Sequence, residues 1–472
     1  MKLTELMDKH QQVQITIFQW ILKSEGAIRI KDLERELAIS VPTLQKEIRS
    51  LETALELFDD ESKLMKLDND YLSLHLSNEF SVKAFVYSYL EQALDYQIVS
   101  FIFQHKKVSI TKMALDLQVS EASLFRRLKS INQQLEEFEI QFRNKKMIGD
   151  ELQIRVFYYY LFWTSLPFEQ LQKKFRNPTI QNLIQVIEKH FHLTFTKEQY
   201  WKLSLWLGIM HSRFDYRGEQ KYRLRKETVH EIEQDMFYQE LKNMLARYLS
   251  RFAFQGSDEE SVYLYLFFLS ENLLPSEKKW LTESPFIAKF LTLNQKIYQE
   301  LVHDSDVSSF DAFLLELHIK LAFSKGWIDT EENDLLLLSD YDSSKMSACM
   351  SIIEAELSKD ISNSQWRMLD QAYGLVVDIY QRRQQKELLV GIASDDSLQS
   401  EEVYQFIEQH LASLPHVKVK KAKNRVYSLL VASEYTDITN YAYEERYIFS
   451  GRLSLFEVNR LKQAIENCYD RS

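Results

Sequence analysis

The sequence predicts a mainly α, multidomain protein: two N-terminal winged helix-turn-helix units, two helical bundles and one small C-terminal α/β domain. Three observations carry that prediction. The stretch LAISVPTLQKEIRSL, from Leu37 to Leu51, recurs without a gap as LQVSEASLFRRLKSI, from Leu117 to Ile131. Glycine occurs only 9 times and proline 6 times in 472 residues, as helical chains require. From about Lys386 the texture changes to short apolar runs around one amphipathic segment. A chain of this length exceeds a single core and divides into roughly three to five domains.

The first copy sits in a longer pattern. Ile30, Leu33 and Leu37 recur at helical spacing, Ile39 closes a turn, and Leu44, Ile48 and Leu51 recur again. Ser40 stands at the expected N-cap and Pro42 falls in the first turn, where a missing N–H costs nothing. The second copy repeats this with Ile110, Met113, Leu117, Val119, Leu124, Leu128 and Ile131, with Ser120 as the matching cap and Glu121 favourably placed for the helix dipole. Neither turn contains the glycine common in such motifs. After each copy an alternating stretch, KLMKLDNDYLSLHL from Lys63 and EIQFRNKKMIGDELQIR from Glu139, predicts a β-ribbon. Helix, turn, helix and hairpin is the order of a winged helix-turn-helix, placed at residues 1–78 and 79–155.

Between residues 156 and 384 the apolar spacing in FYYYLFW, YWKLSLWLGIM, YLYLFFLSENLL, FDAFLLELHIKLAF and WRMLDQAYGLVVDIY predicts two helical bundles, 156–280 and 281–384, with a joint near LLPSEKK, Leu273 to Lys279. In residues 385–472, KELLVGIAS, HVKVKKAK and RVYSLLVAS predict strands, SEEVYQFIEQHLASL a helix opened by Ser400, and Ser454 to Asp470 a closing helix.

The net charge of −11 excludes a surface coated in basic residues, so nucleic-acid contact has to be local. Residues 105–155, with 10 Lys and Arg against 7 Asp and Glu, are the least acidic region and contain the second copy. Two cysteines, Cys349 and Cys468, form neither a disulfide framework nor a metal-type spacing, which points to a reducing compartment. No apolar run reaches membrane-spanning length and the opening MKLTELMDKHQQVQ lacks a signal-peptide core, so a cytoplasmic protein without membrane attachment is expected.

In a helix-turn-helix the outward positions of the second helix enter the major groove. Here these are Pro42, Thr43, Gln45, Lys46 and Arg49 in the first copy, and Ala122, Ser123, Phe125, Arg126, Arg127 and Lys129 in the second. Arg and Lys suit guanine or phosphate, while Thr43, Ser123 and Gln45 suit phosphate or adenine. Other sites are weak. His190 and His192 form an HxH without a third ligand, Asp395 and Asp396 read as a solvated loop, and no phosphate-binding glycine motif occurs. No catalytic residue, cofactor or metal is expected.

Two winged units, two bundles and a small α/β domain in this order resemble the Mga/AtxA/RofA-like transcriptional regulators of Gram-positive bacteria. The resemblance implies bundles similar to phosphotransferase-system regulation domains (PRDs), a last domain similar to the enzyme IIB component, self-association through these domains, and control of virulence or surface-protein genes, usually by activation. It also implies promoter DNA and a phosphotransferase-system phosphocarrier protein as partners. His211 in LWLGIMHSRFDYRG, with Arg217 following, and His318 in ELHIKLAFSKG, with Lys325 following, resemble the phosphorylatable PRD histidines. The enzyme IIB cysteine has no counterpart in ELLVGIASDDS. The expected function is a DNA-binding regulator and not an enzyme; the alternatives are a PRD-containing RNA-binding antiterminator and a helical scaffold that binds no nucleic acid.

Overall fold

The computed structural model describes residues 1–24, 26–67, 70–105, 109–213, 224–250, 258–274, 284–302, 304, 309–329, 343–357, 361–384, 387–393, 398–412, 414, 417–423, 425–434, 436–449 and 454–470. The chain is mainly α-helical. It forms two compact units, Met1–Gly374 and Leu375–Ser472.

The first unit begins with α1 (Lys9–Lys23), β1 (Ala27–Arg29), α2 (Ile30–Leu37), α3 (Val41–Phe58), β2 (Lys63–Leu67) and β3 (Tyr71–His75). The helix pair and its hairpin are those read from the sequence. The short strand β1 was not foreseen. It pairs antiparallel with β3, so that the wing is a three-stranded sheet in the order β1-β3-β2. Leu44, Leu51 and Leu55 of α3 are fully buried, each worth about 1.5–3 kcal/mol of burial. Ala38 ends α2 in the left-handed conformation, φ 50° and ψ 38°, a place where glycine is the usual residue.

Two helices, α4 (Val82–Gln92) and α5 (Leu94–Gln104), lead into the second copy, α6 (Ile110–Asp116), α7 (Glu121–Leu135), β4 (Gln141–Arg143) and β5 (Lys146–Ile148). Gln118 repeats the left-handed turn of Ala38 with φ 56°. The second ribbon is shorter than the sequence reading. Residues Glu151 to Arg155, expected as strand, open α8 (Glu151–Ser165), because Asp150 caps the Leu152 amide at 2.9 Å.

The bundle region continues with α9 (Phe168–Phe175), α10 (Pro178–Phe191), α11 (Lys197–Arg213), α12 (Lys226–Ile232), α13 (Met236–Ser250) and α14 (Asp258–Ser270). It ends with the helices Pro285–Val302, Asp311–Phe323, Ser343–Leu357 and Asn363–Gln384. The aromatic runs become central helices. Helices α8 and α14 are buried around almost their whole circumference, which explains why neither shows an amphipathic stripe. One apolar core runs continuously from the winged units into the bundles. Inside it lies an ion network: Glu151 accepts from Arg155 Nε at 2.9 Å and Arg213 Nη2 at 2.8 Å, and Arg155 forks onto Glu260 at 2.6 and 2.7 Å. The network thereby ties the first turn of α8, just after the second wing, to α11 and α14. Of the expected joint, Leu273 and Leu274 are buried, while 275–279 lie outside the described residues.

The second unit holds β6 (Leu388–Ile392), the helix Leu398–Leu411, β7 (Val417–Lys421), β8 (Val426–Ser433), β9 (Ala442–Phe449) and the helix Leu455–Asp470. Its sheet has the order β7-β6-β8-β9 with every pair parallel. The reading from sequence had three strands; β9 is the fourth. Gly391 is dictated by packing, since a Cβ there would lie 2.5 Å from the Tyr427 ring.

Candidate nucleic-acid interface

Each recognition helix turns an apolar stripe inward and its predicted contact residues outward. In α3, Leu44, Ile48, Leu51 and Leu55 are buried, while Pro42, Thr43, Gln45, Lys46 and Arg49 are all exposed. At its start the Ser40 and Thr43 hydroxyls bond each other at 2.9 Å. In α7, Leu124, Leu128, Ile131 and Leu135 are buried. Ala122, Phe125, Arg126 and Lys129 are exposed and Ser123 is half-buried, its amide held by the Ser120 hydroxyl at 3.2 Å.

Arg127 departs from the expectation. Its guanidinium reaches Asp8 at 2.5 Å and the buried Asp95 at 3.4 Å, so it turns back onto the protein instead of toward solvent. Burial disfavours its charge, but the hydrogen bond to Asp8 and the field of Asp95 outweigh it and raise the pKa. Burial in turn raises Asp95 against the pull of Arg127. The equivalent position in the first copy is Glu47, also buried, which bonds His10 Nδ1 at 2.7 Å and Gln14 Nε2 at 2.7 Å. Burial raises the Glu47 carboxyl, yet the hydrogen bonds from Gln14 and His10 hold it below its ordinary value. Asp8 caps α1 while His10 and Gln14 lie in it, so one helix start grips both recognition helices.

The wings complete the surface, and the sequence reading passed over them. Asn144 and Lys145, with φ 52° and 66°, form the two-residue tip between β4 and β5. Arg143, Asn144 and Lys145 are exposed there. Asn132 of α7 fixes this wing against the recognition helix, donating to Phe142 O at 3.0 Å and accepting from Phe142 N at 2.7 Å. The signal was present in RNKK, the cations flanking a turn-forming Asn. The first wing is electrostatically weaker. Its Lys66 lies 3.7 Å from Asp70, and Met65 and Leu67 are exposed beside it.

The two histidines fall in different environments. His211 is exposed in the last turn of α11, and Arg217 lies outside the described residues. His318 is fully buried in the helix Asp311–Phe323, with Nδ1 2.7 Å from Asn294 Oδ1 and Nε2 2.7 Å from Tyr373 Oη. Burial pushes its pKa down to about 3, so it is neutral. With both nitrogens engaged and no access to solvent, it is not presented as a phosphoryl acceptor. Lys325 does not serve it either: its Nζ pairs with Glu139 at 3.1 Å.

His190 lies 3.9 Å from Glu240, and His192 takes the left-handed C-cap of α10, so the HxH does not converge. Asp395 and Asp396, and the enzyme IIB cysteine position after β6, lie outside the described residues. No group of His, Cys, Asp and Glu that could hold a metal occurs among the described residues. None of their helices is long and apolar enough to cross a membrane.

Comparison with known families adds two findings. Residues 78–162 match the Mga helix-turn-helix domain, a span that contains α4 to α7 and the basic wing. Residues 181–271 match the PRD domain, which places His211 within a PRD. No curated protein matches the chain. The matched domains are regulatory rather than catalytic, and over these two spans, a Mga helix-turn-helix followed by a PRD, the chain is similar to the Mga/AtxA-like regulators.

Proposed function

We propose that this PRD-containing DNA-binding regulator binds promoter DNA sequence-specifically through both recognition helices, with the second unit as the electrostatic anchor. The observation that carries this reading is the clustering of exposed Arg126, Lys129, Arg143 and Lys145 along α7 and its wing in a chain whose net charge is −11. Phosphate neutralisation by such a cluster supplies sequence-independent affinity, and the base-facing residues of both helices supply selection. A tandem pair lets two modest contacts combine.

In the same reading the protein acts as an activator of virulence or surface-protein genes. It associates with itself through the PRD-like region and the C-terminal domain. Supporting the latter, β9 is an edge strand with Ile448 exposed, and Phe456 of the following helix is 69% exposed. His211 is the residue offered to a phosphotransferase-system phosphocarrier, being exposed at a helix end inside the PRD. A phosphohistidine dianion there would bias the packing of α11 and, through Arg213 and Glu151, the start of α8. His318 has a structural role.

The test is fluorescence anisotropy of the full chain on labelled promoter duplexes at several salt concentrations, beside the triple variant Arg126→Ala, Lys129→Ala, Lys145→Ala. Tight binding with a steep salt slope, lost in the variant, is the expected result. Absence of binding to any duplex at low salt would sink the proposal, and preference for a structured RNA hairpin would favour the antiterminator.

A further inference from the structure

The two recognition helices keep the same basic positions but differ at the fifth helical residue. Lys46 matches Arg126 and Arg49 matches Lys129, whereas Gln45 matches Phe125. Residues near the N-terminus of a recognition helix are those that reach base edges.

Phe125 is unusually placed for an aromatic residue. It is 56% exposed, one position past the buried Leu124, on the face that carries Ala122 and Lys129. No ring or cation contact to it occurs among the described residues. It borders a cleft of about 580 Å³ between α7 and the wing, lined also by Lys129, Asn132, Arg143, Asn144 and Lys145. Three cations, Lys129, Arg143 and Lys145, outnumber the single acid of the lining, Glu136, and the excess suits a polyanion. An apolar ring at the centre of a phosphate-binding surface has one complementary feature in the major groove, the C5-methyl group of thymine. Gln45, by contrast, offers the amide that pairs with the N6 and N7 edge of adenine.

We infer that Phe125 is a specificity-determining residue that selects thymine by its methyl group, so that the two heads read different half-sites. This rests on the DNA-binding reading above. The operator is then an asymmetric tandem site rather than two copies of one sequence, and the second half-site contains at least one thymine whose methyl group contributes to affinity.

The experiment replaces each thymine of a bound promoter duplex, one at a time, by deoxyuridine, which removes only the methyl group. Affinities are measured for the wild type, Phe125→Ala and Gln45→Ala. At one or two positions the wild type should bind about fourfold more weakly, the equivalent of one buried methyl group. Phe125→Ala should bind the unmodified duplex more weakly by a similar factor and show no further loss on deoxyuridine at those positions. Gln45→Ala should retain the full deoxyuridine effect. Because Phe125 is exposed, its truncation does not threaten folding. If no thymine position matters, or if Phe125→Ala loses as much on deoxyuridine as the wild type does, the inference is overturned while the DNA-binding reading stands. Failure of the wild type to bind any duplex would overturn both.

Discussion

Replacing His318 by Gln separates a buried structural histidine from a phosphorylation site. The imidazole is fully buried between Asn294 and Tyr373, at 2.7 Å from each, and burial lowers its pKa to about 3. In the unfolded chain the same group titrates near 6.5. The sign follows: below that pH the unfolded chain takes up a proton that the folded protein refuses, so His318 destabilises the fold increasingly as pH falls from about 6.5 toward 3. Each pH unit of displaced titration is worth about 1.4 kcal/mol, which makes the cost about 2 kcal/mol at pH 5. Near pH 7 the cost is absent, and the variant should be less stable than the wild type by about 1–3 kcal/mol, because Gln cannot satisfy both partners with imidazole geometry. Urea denaturation followed by far-UV ellipticity at pH 7 and pH 5 measures both quantities. The stability gap should narrow by about 2 kcal/mol on going to pH 5. A gap that stays constant between the two pH values, or stoichiometric phosphorylation of His318 in the folded protein, would refute the reasoning.

Three further outcomes follow from the geometry. Arg126→Ala and Lys129→Ala should each flatten the log-log salt dependence of DNA binding by about 0.9 per lost phosphate contact, whereas Arg127→Ala should leave that slope unchanged, because its guanidinium is held by Asp8 and Asp95. Ala38→Gly and Gln118→Gly should each raise stability by about 0.5–1 kcal/mol in thermal unfolding, since both exposed side chains sit at positive φ and make no packing contribution to lose. Arg155→Ala should cost about 3–5 kcal/mol by leaving Glu260 buried without its fork, and the double variant Arg155→Met, Glu260→Gln should recover most of that loss in the same assay.

The features legible in the sequence are those with a short repeat. Leu44, Ile48 and Leu51 recur at helical spacing and so do Leu124, Leu128 and Ile131, and all six are buried where the periodicity put them. The exposed contact residues follow from the same periodicity, because a stripe that faces the core fixes what faces away. Arg127 escaped it. At its position in the repeat neither copy faces solvent, but the groups that receive it, Asp8 and Asp95, are remote in sequence and no local pattern reports them. The strands β1 and β9 were missed for a related reason. Three residues, Ala27 to Arg29, are too few to show alternation, and the Glu444, Glu445 and Arg446 run hides the buried Tyr447 and Phe449 of an edge strand. His318 looked like its PRD counterpart because an apolar helix around a histidine reads the same whether the ring points out or in. In the fold Asn294 and Tyr373, one on each neighbouring helix, hold the ring inward.

The repeat has diverged most instructively at Glu47 and Arg127. If the two units were independent beads on a linker, this inward position would tolerate any small residue. Instead it carries a buried acid in one copy and a partly buried cation in the other, and both find partners at the start of α1: its N-cap Asp8 for Arg127, which also reaches Asp95, and His10 and Gln14 for Glu47. Tyr89 of α4 adds a bond to Gln14 at 2.9 Å. A Glu at the Arg127 position would stand beside Asp8 and Asp95, like charge beside like, and an Arg at the Glu47 position would lose the bonds that Glu47 accepts from His10 and Gln14, so the two side chains are not interchangeable. The separation and relative rotation of α3 and α7 are therefore set by the protein before DNA is met. If both heads bind DNA as proposed above, a duplex whose half-sites are shifted by a few base pairs would not be accommodated by a flexible linker, and half-site spacing would be part of what the protein reads, alongside the different side chains that Gln45 and Phe125 present.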